Sequence, residues 1–257
     1  GGVGGAVATT VSNTITGNVT LTGGAGGAGG DAGTAAGAGG AGGVGGTLAA
    51  IFEKGITGTL TLDDGTDGAA GAAGTGTAGA TSAGGAVTAH FTGTAATTIT
   101  GAVTAAADGE GVIKIENSAS TTADVTFSSD IGTSTVAVGT LTALDGDAKF
   151  DGDVYIKTIT ASDGDNMDFN GNVTAATVLS MGTGTHTFAK DLTASTSLNF
   201  VTDGTATFDG TSAQTITGAI TTTIASGGNI IVSNTGGTVT FTDLIGVSGA
   251  NDIGDIT

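Results

Sequence analysis

The chain contains no proline, cysteine, tryptophan or arginine. Without cysteine there is no disulfide scaffold. Without proline the glycine-rich stretches are not collagen. The basic residues are five lysines (Lys54, Lys114, Lys149, Lys157 and Lys190), set against 23 Asp and Glu for a formal net charge of −18. A duplex-binding protein neutralises phosphates with cationic side chains, so this charge argues against nucleic acid as a partner, and an anionic membrane would repel the chain. One Tyr and nine Phe are too few for the aromatic girdles of a membrane barrel. No run of 18 or more large apolar residues is present, so no membrane insertion is expected. The start at Gly1, without Met, reads as a processed or trimmed chain.

What is abundant is glycine, at 51 of 257 positions, together with Thr and Ala. Gly and Thr are poor in helix interiors, whereas Thr, Val, Ile and Phe suit strands. The mean hydropathy is positive and 38% of residues are hydrophobic, which argues against simple disorder. Large apolar residues are nevertheless thinly spread. They cannot fill a wide globular core, but they can fill a narrow one repeated along an axis.

A five-residue phrase recurs: apolar, two polar or small residues with Gly usually third, one more small or polar residue, then apolar. It reads Ile15-Thr-Gly-Asn-Val19, Ile56-Thr-Gly-Thr-Leu60, Ile99-Thr-Gly-Ala-Val103, Phe150-Asp-Gly-Asp-Val154 and Phe169-Asn-Gly-Asn-Val173. Further copies are Phe188-Ala-Lys-Asp-Leu192, a weaker one at Phe208, and Ile216-Thr-Gly-Ala-Ile220. Phe150, Phe169, Phe188 and Phe208 follow one another at 19, 19 and 20 residues. A solenoid returns one residue type to one interior column at such a period. The 41 residues from Ile15 to Ile56 and the 43 from Ile56 to Ile99 read as two coils each, with insertions. Runs such as Thr185-His-Thr-Phe188 and Thr238-Val-Thr-Phe241 alternate with period two, placing Thr on one face and the apolar residue on the other. The expected fold is all-β: a parallel β-helix of about 19–20 residues per coil, with residues 1–95 forming irregular coils and 96–257 a regular stack.

Two segments, 23–46 and 68–85, interrupt the first part with Gly-Gly-Ala-like repeats. They read either as flexible low-complexity loops or as extended strands with three residues per turn, lying against each other where glycine alone allows close approach.

The Phe-x-Gly-x-Val phrases between Phe150 and Ile220, with Thr98–Ala102 and Thr215–Ala219, resemble the passenger domains of bacterial autotransporter adhesins and, more loosely, low-complexity surface-layer proteins. The resemblance spans about a third of the chain. It implies a right-handed β-helix on a cell surface. No C-terminal membrane barrel accompanies it, so the chain is not read as a whole autotransporter.

The strongest chemical feature is an Asp-rich run: Asp145, Asp147, Asp151, Asp153, Asp163, Asp165 and Asp168. Asp-Gly-Asp pairs in turns offer hard oxygen ligands of the kind calcium takes. The same carboxylates equally serve as solubilising turn residues. His90 and His186 read as surface or half-buried strand positions, and two His without Cys make no zinc site. β-Helix lyases and hydrolases handle anionic sugars with Arg or Lys, which this chain lacks or scatters, so no enzymatic activity is expected.

Three function classes follow. The first is a non-enzymatic extracellular building block of a surface layer, fibre or matrix; because neither end reads as a cap, the end strands are expected to pair head to tail with another copy or with further sequence of a longer chain. The second is a calcium-dependent cell-surface adhesin for a glycan or another surface protein. The third is an ice-binding solenoid, suggested by the Thr rows.

Overall fold

A computed structural model describes residues 2–33, 37–74, 76–118, 124–162, 164–246 and 252–257, together with the backbone but not the side chains of 176–180. The described residues form 21 strands and no helix. Every strand pairing is parallel, and neighbours in each sheet are non-consecutive in the chain. The chain is a parallel β-helix.

Each coil passes three walls. The long wall has ten strands, from Val7–Val11 to Val239–Phe241. The ring wall has eight, from Thr97–Ile99 to Ile253–Ile256. The short wall has three: Val19–Thr22, Leu60–Asp63 and Val103–Ala105. The short wall continues as single bridges, Val103 to Ile131 to Val154. It then merges with the long wall. In the strand Val154–Ala161 the pairing slips between Ile156 and Thr158, which marks the bend from one wall to the other.

The five-residue phrase is the corner between the ring wall and the short wall. Its first residue points inward on one wall and its last inward on the next. Ile56, Ile99, Phe150, Phe169 and Phe188 are buried, as are Leu60, Val103, Val154, Val173 and Leu192. The central Gly is required by the stacking of coils: a Cβ on Gly101 would sit 2.2 Å from the Gly58 carbonyl oxygen, and one on Gly171 2.1 Å from that of Gly152. Phe127-Ser-Ser-Asp-Ile131 occupies the same corner without the Gly. Ile216–Ile220 does not: it pairs with Leu192 and Leu198 and turns the bend from the short-wall side to the long-wall side. One short phrase suits either bend because both need an apolar residue in, a tight turn, and an apolar residue in.

Phe150, Phe169, Phe188 and Phe208 form an inward column, with ring centroids 4.8, 5.2 and 5.5 Å apart. The file is longer than these four. Phe127 stacks below Phe150, Phe91 and Phe52 continue it from the long wall, and Phe241 meets Phe208 edge-on.

The expected coil count of the first part is corrected. Ile15 bridges directly to Ile56 and Ile56 to Ile99, so each interval is one coil, not two. The surplus residues leave the wall as a glycine-rich excursion and return to it. These excursions hydrogen-bond in steps of three. Gly23, Gly26, Gly29 and Ala32 donate to the carbonyls of Asp63, Thr66, Ala69 and Ala72. Gly39, Gly42 and Gly45 donate to Thr77, Ala80 and Ala83. Within one excursion the two limbs run antiparallel, with Gly43 donating to Gly27 and Gly40 to Gly30. A three-residue period is that of the extended left-handed helix. Of the two readings, ordered three-per-turn strands are the one observed.

Candidate functional site

Asp and Asn line the corners of the stack, where they accept hydrogen bonds from the backbone of the next coil. At the corner from the long wall to the ring wall, Asp124 Oδ2 accepts from the Asp147 amide at 3.0 Å. Asp147 Oδ1 in turn accepts from the Asn166 amide at 3.0 Å and from its Nδ2 at 2.9 Å. Asn166 Oδ1 accepts from the Thr185 amide at 2.7 Å. At the next corner, Asp130 Oδ1 accepts from the Asp153 amide at 2.8 Å, and Asp153 Oδ1 from the Asn172 amide at 2.8 Å and its Nδ2 at 3.0 Å. These ladders give corner amides, which no sheet partner reaches, an acceptor.

The Asp-rich run is therefore divided. Asp145, Asp147 and Asp165 stand at the first corner, and Asp151 and Asp153 at the second. Asp168 is exposed on the ring-wall strand Met167–Phe169, in register with Lys149 and Thr187. Asp163 lies outside the described residues. Asp151 pairs with Lys149 Nζ at 2.6 Å and accepts from Asn170 Nδ2 at 2.8 Å, and its carboxyl is held below the usual carboxylate range by these bonds, Lys149 first. Among the described residues, no three His, Asp or Glu converge on one point as a metal-sized group. An open groove on the ring wall is lined by Asp147, Ala148, Asn166, Asp168, Thr185 and Thr187.

Asp165 is the exception among these carboxylates. It is buried; Oδ1 accepts from the Gly146 amide at 3.0 Å, while Oδ2 has no hydrogen-bond partner. Burial, with the nearby charges of Asp145 and Asp147, raises its carboxyl to about 6.

His90 is half-buried on the long wall, 2.9 Å from Glu116, which Lys114 also reaches at 3.0 Å. Burial and the Lys114 charge lower the imidazole from its ordinary value. His186 departs from the sequence reading: it is fully buried, and neither ring nitrogen has a hydrogen-bond partner of good geometry. It sits between Met167 and Ala206 in one inward column. The parity of Thr185-His-Thr-Phe188 carried this signal, since His186 shares the phase of the inward Phe188.

The corner residues Asn117, Asp124 and Asp130, and the Asn partners 166, 170 and 172, were not singled out from sequence. The register was visible there, because Asp151-Gly-Asp153 and Asn170-Gly-Asn172 are one corner 19 residues apart.

Outside the short-wall side runs a file rich in threonine: Thr20, Thr61 and Thr104, then Gly132 and Tyr155, then Thr174, Thr193 and Thr217. The hydroxyls of Thr61 and Thr104 are 3.2 Å apart.

The two ends of the stack differ in charge. At the head, Val7–Val11 pairs only with Leu48–Phe52 among the described residues, and Val19–Thr22 only with Leu60–Asp63. At the tail, Val239–Phe241 and Ile253–Ile256 each have one partner strand. Val11, Ile15 and Val19 at one end, and Phe241, Ile245 and Ile253 at the other, are core residues that are only partly buried. Of the exposed large apolar residues, all but Leu144 lie within the first 44 or the last 34 positions, led by Val3, Val7, Leu244 and Ile256. The first charged residue in the chain is Asp31, whereas the tail carries Asp243, Asp252 and Asp255.

No protein-family model, curated protein or solved structure matches the chain.

Proposed function

We propose that this protein is a non-enzymatic, extracellular structural module that stacks head to tail with further copies of itself, as a unit of a fibre, surface layer or matrix. The observation that carries this reading is the pair of outermost strand edges. Among the described residues, the end strands have a partner on one side only, around a partly buried apolar core, an arrangement that pairs readily with another β-edge, whether of a second copy or of further chain. Apolar exposure is concentrated at these ends, as at association sites.

The charge distribution favours head-to-tail joining. A tail-to-tail contact sets three aspartates against three, while the head coil carries a single charged residue, Asp31, in its glycine-rich excursion. Joining a head to a tail also keeps the strands parallel across the joint. Such a heterologous contact, where the rotation does not close, gives a filament. The net charge of −18 opposes assembly at low salt, so added salt should promote it.

A single edge residue tests the reading. The Val7 amide donates to Thr47 and the Val11 carbonyl accepts from Glu53, so residues 7, 9 and 11 bond inward and Thr10 faces the free edge. Thr10→Pro removes one outward N–H and keeps the inward ladder. Light scattering across a salt series should show assembly of the native chain and of Thr10→Ser, and little of Thr10→Pro. Equal assembly of all three would remove the head edge from the joint.

A further inference from the structure

Asn170-Gly171 is the one Asn-Gly step in the sequence. Asparagine is a thermolabile residue: the backbone nitrogen that follows it can attack its side-chain amide carbon. Glycine at the next position leaves that approach open, having no side chain. Every other asparagine is followed by a larger residue, as Asn172 is by Val173.

The fold places this step at the corner between the ring wall and the short wall. Two coils of opposite chemistry meet there. One reads Phe150-Asp-Gly-Asp-Val154 and the next Phe169-Asn-Gly-Asn-Val173, in register. The acids accept and the amides donate: Asn170 Nδ2 to Asp151 Oδ1 at 2.8 Å, and Asn172 Nδ2 to Asp153 Oδ1 at 3.0 Å. Asp151 also takes Lys149 Nζ at 2.6 Å and stays ionised. Asn170 is half-buried. The Gly171 amide donates to no backbone carbonyl among the described residues, so no backbone bond has to break before it reacts. The restraint is the Asp151 bond, which Asn170 must release to turn its amide carbon toward Gly171.

We propose that Asn170 is a self-modification site, whose side chain deamidates without an enzyme to a product that loosens this corner. The Gly171 nitrogen forms a bond to Asn170 Cγ. The bond from Cγ to Nδ2 breaks, and ammonia leaves with the Gly171 amide proton. The five-membered imide then takes up one solvent water and opens at either carbonyl, to aspartate or to isoaspartate. No electrons are gained or lost.

Both products conflict with the stack. Aspartate sets a carboxylate against Asp151 where a donor had been, so a charge-assisted hydrogen bond becomes a like-charge contact. Isoaspartate routes the main chain through the side-chain carbon and lengthens the corner by one atom. The corner has no room for it: a Cβ on Gly171 would already lie 2.1 Å from the Gly152 carbonyl oxygen. The chain therefore ages from this corner, whether or not copies join end to end.

The test is peptide mapping by mass spectrometry of the folded full chain held in mildly alkaline buffer at physiological temperature, with denaturant unfolding of the same samples. Amide loss at Asn170 should exceed that at every other asparagine at least tenfold, with isoaspartate among the products, and the aged chain should unfold at lower denaturant. Asn170→Gln, whose longer side chain closes such a ring poorly, should hold its own midpoint over the same period. Asp151→Ala removes the restraint and should speed amide loss several-fold. A folded chain in which Asn170 keeps its amide would overturn the site, as would an aged chain with the native midpoint. An unchanged rate in Asp151→Ala would refute the restraint.

Discussion

The ring of Phe150 lies 4.8 Å from the ring of Phe169, tilted by 10°, although 19 residues of chain separate them. Both rings are buried, and Phe169 has a second ring, Phe188, at 5.2 Å on its other side. Phe169→Ala leaves a gap in this file and should cost about 3–5 kcal/mol. Phe169→Asp should cost more, since it buries an unpaired charge. Denaturant unfolding followed by circular dichroism measures both. A loss under about 1 kcal/mol for Phe169→Ala would mean that the rings do not carry the core.

The corner ladders separate geometry from charge. Asp153 accepts from both the amide and Nδ2 of Asn172. Asp153→Ala removes both bonds and should cost about 1–2 kcal/mol. Asp153→Asn keeps an acceptor for the Asn172 amide and should stay close to the native stability. Unfolding midpoints of the two variants compare them directly; equal destabilisation would make the carboxylate charge, rather than the acceptor, the important property.

The glycine-rich excursions offer a sharper contrast. A Cβ on Gly84 would meet the Gly65 carbonyl oxygen at 1.3 Å, while one on Gly30 meets nothing within 4 Å. Gly84→Ala should therefore abolish amide-exchange protection across the hydrogen-bonded excursions, and Gly30→Ala should leave it intact. Loss of protection in neither variant would mean that the limbs tolerate separation.

Acid should act on the core through His186. Burial lowers its imidazole to about 4 from the ordinary 6.5, with only a weaker opposing pull from the Gly182 backbone. Its column neighbours, Met167 and Ala206, are uncharged, and no carboxylate or lysine contributes to the shift. The unfolded chain takes up a proton near pH 6.5, while the folded chain holds the ring neutral down to about pH 4. The stability tied to this ring is thus complete above pH 6.5 and lost as pH falls toward 4, on the order of 3 kcal/mol. His186→Met matches the residue one coil earlier and should flatten this part of the pH–stability curve. An unchanged curve would place the acid sensitivity elsewhere.

Much of the stack was legible because its rules are local. The Phe spacing marks the coil, the central Gly of Phe169-Asn-Gly-Asn-Val173 marks a corner, and alternation marks the inward face. The first coils were misread because glycine excursions carry no side chains to reveal their neighbours. Their order rests on backbone contacts such as Gly43 to Gly27, which any glycine-rich sequence permits and none specifies. The Asp-rich run was visible, but its division between two corners was not. Residues close in sequence, such as Asp147 and Asp151, face different corners, while Asp124 and Asp147 share one across 23 residues.

End-to-end stacking is tested most directly by electron microscopy and helical reconstruction of the purified protein, taken across a salt and calcium series. With ten long-wall strands per chain and about 4.8 Å between neighbouring strands, a joint that continues the stack should give filaments rising roughly 48 Å per subunit. A strand-spacing reflection should run unbroken along the filament axis. Particles that stay monomeric under every condition, or filaments whose rise bears no relation to the coil stack, would contradict the reading of this chain as a self-stacking structural unit.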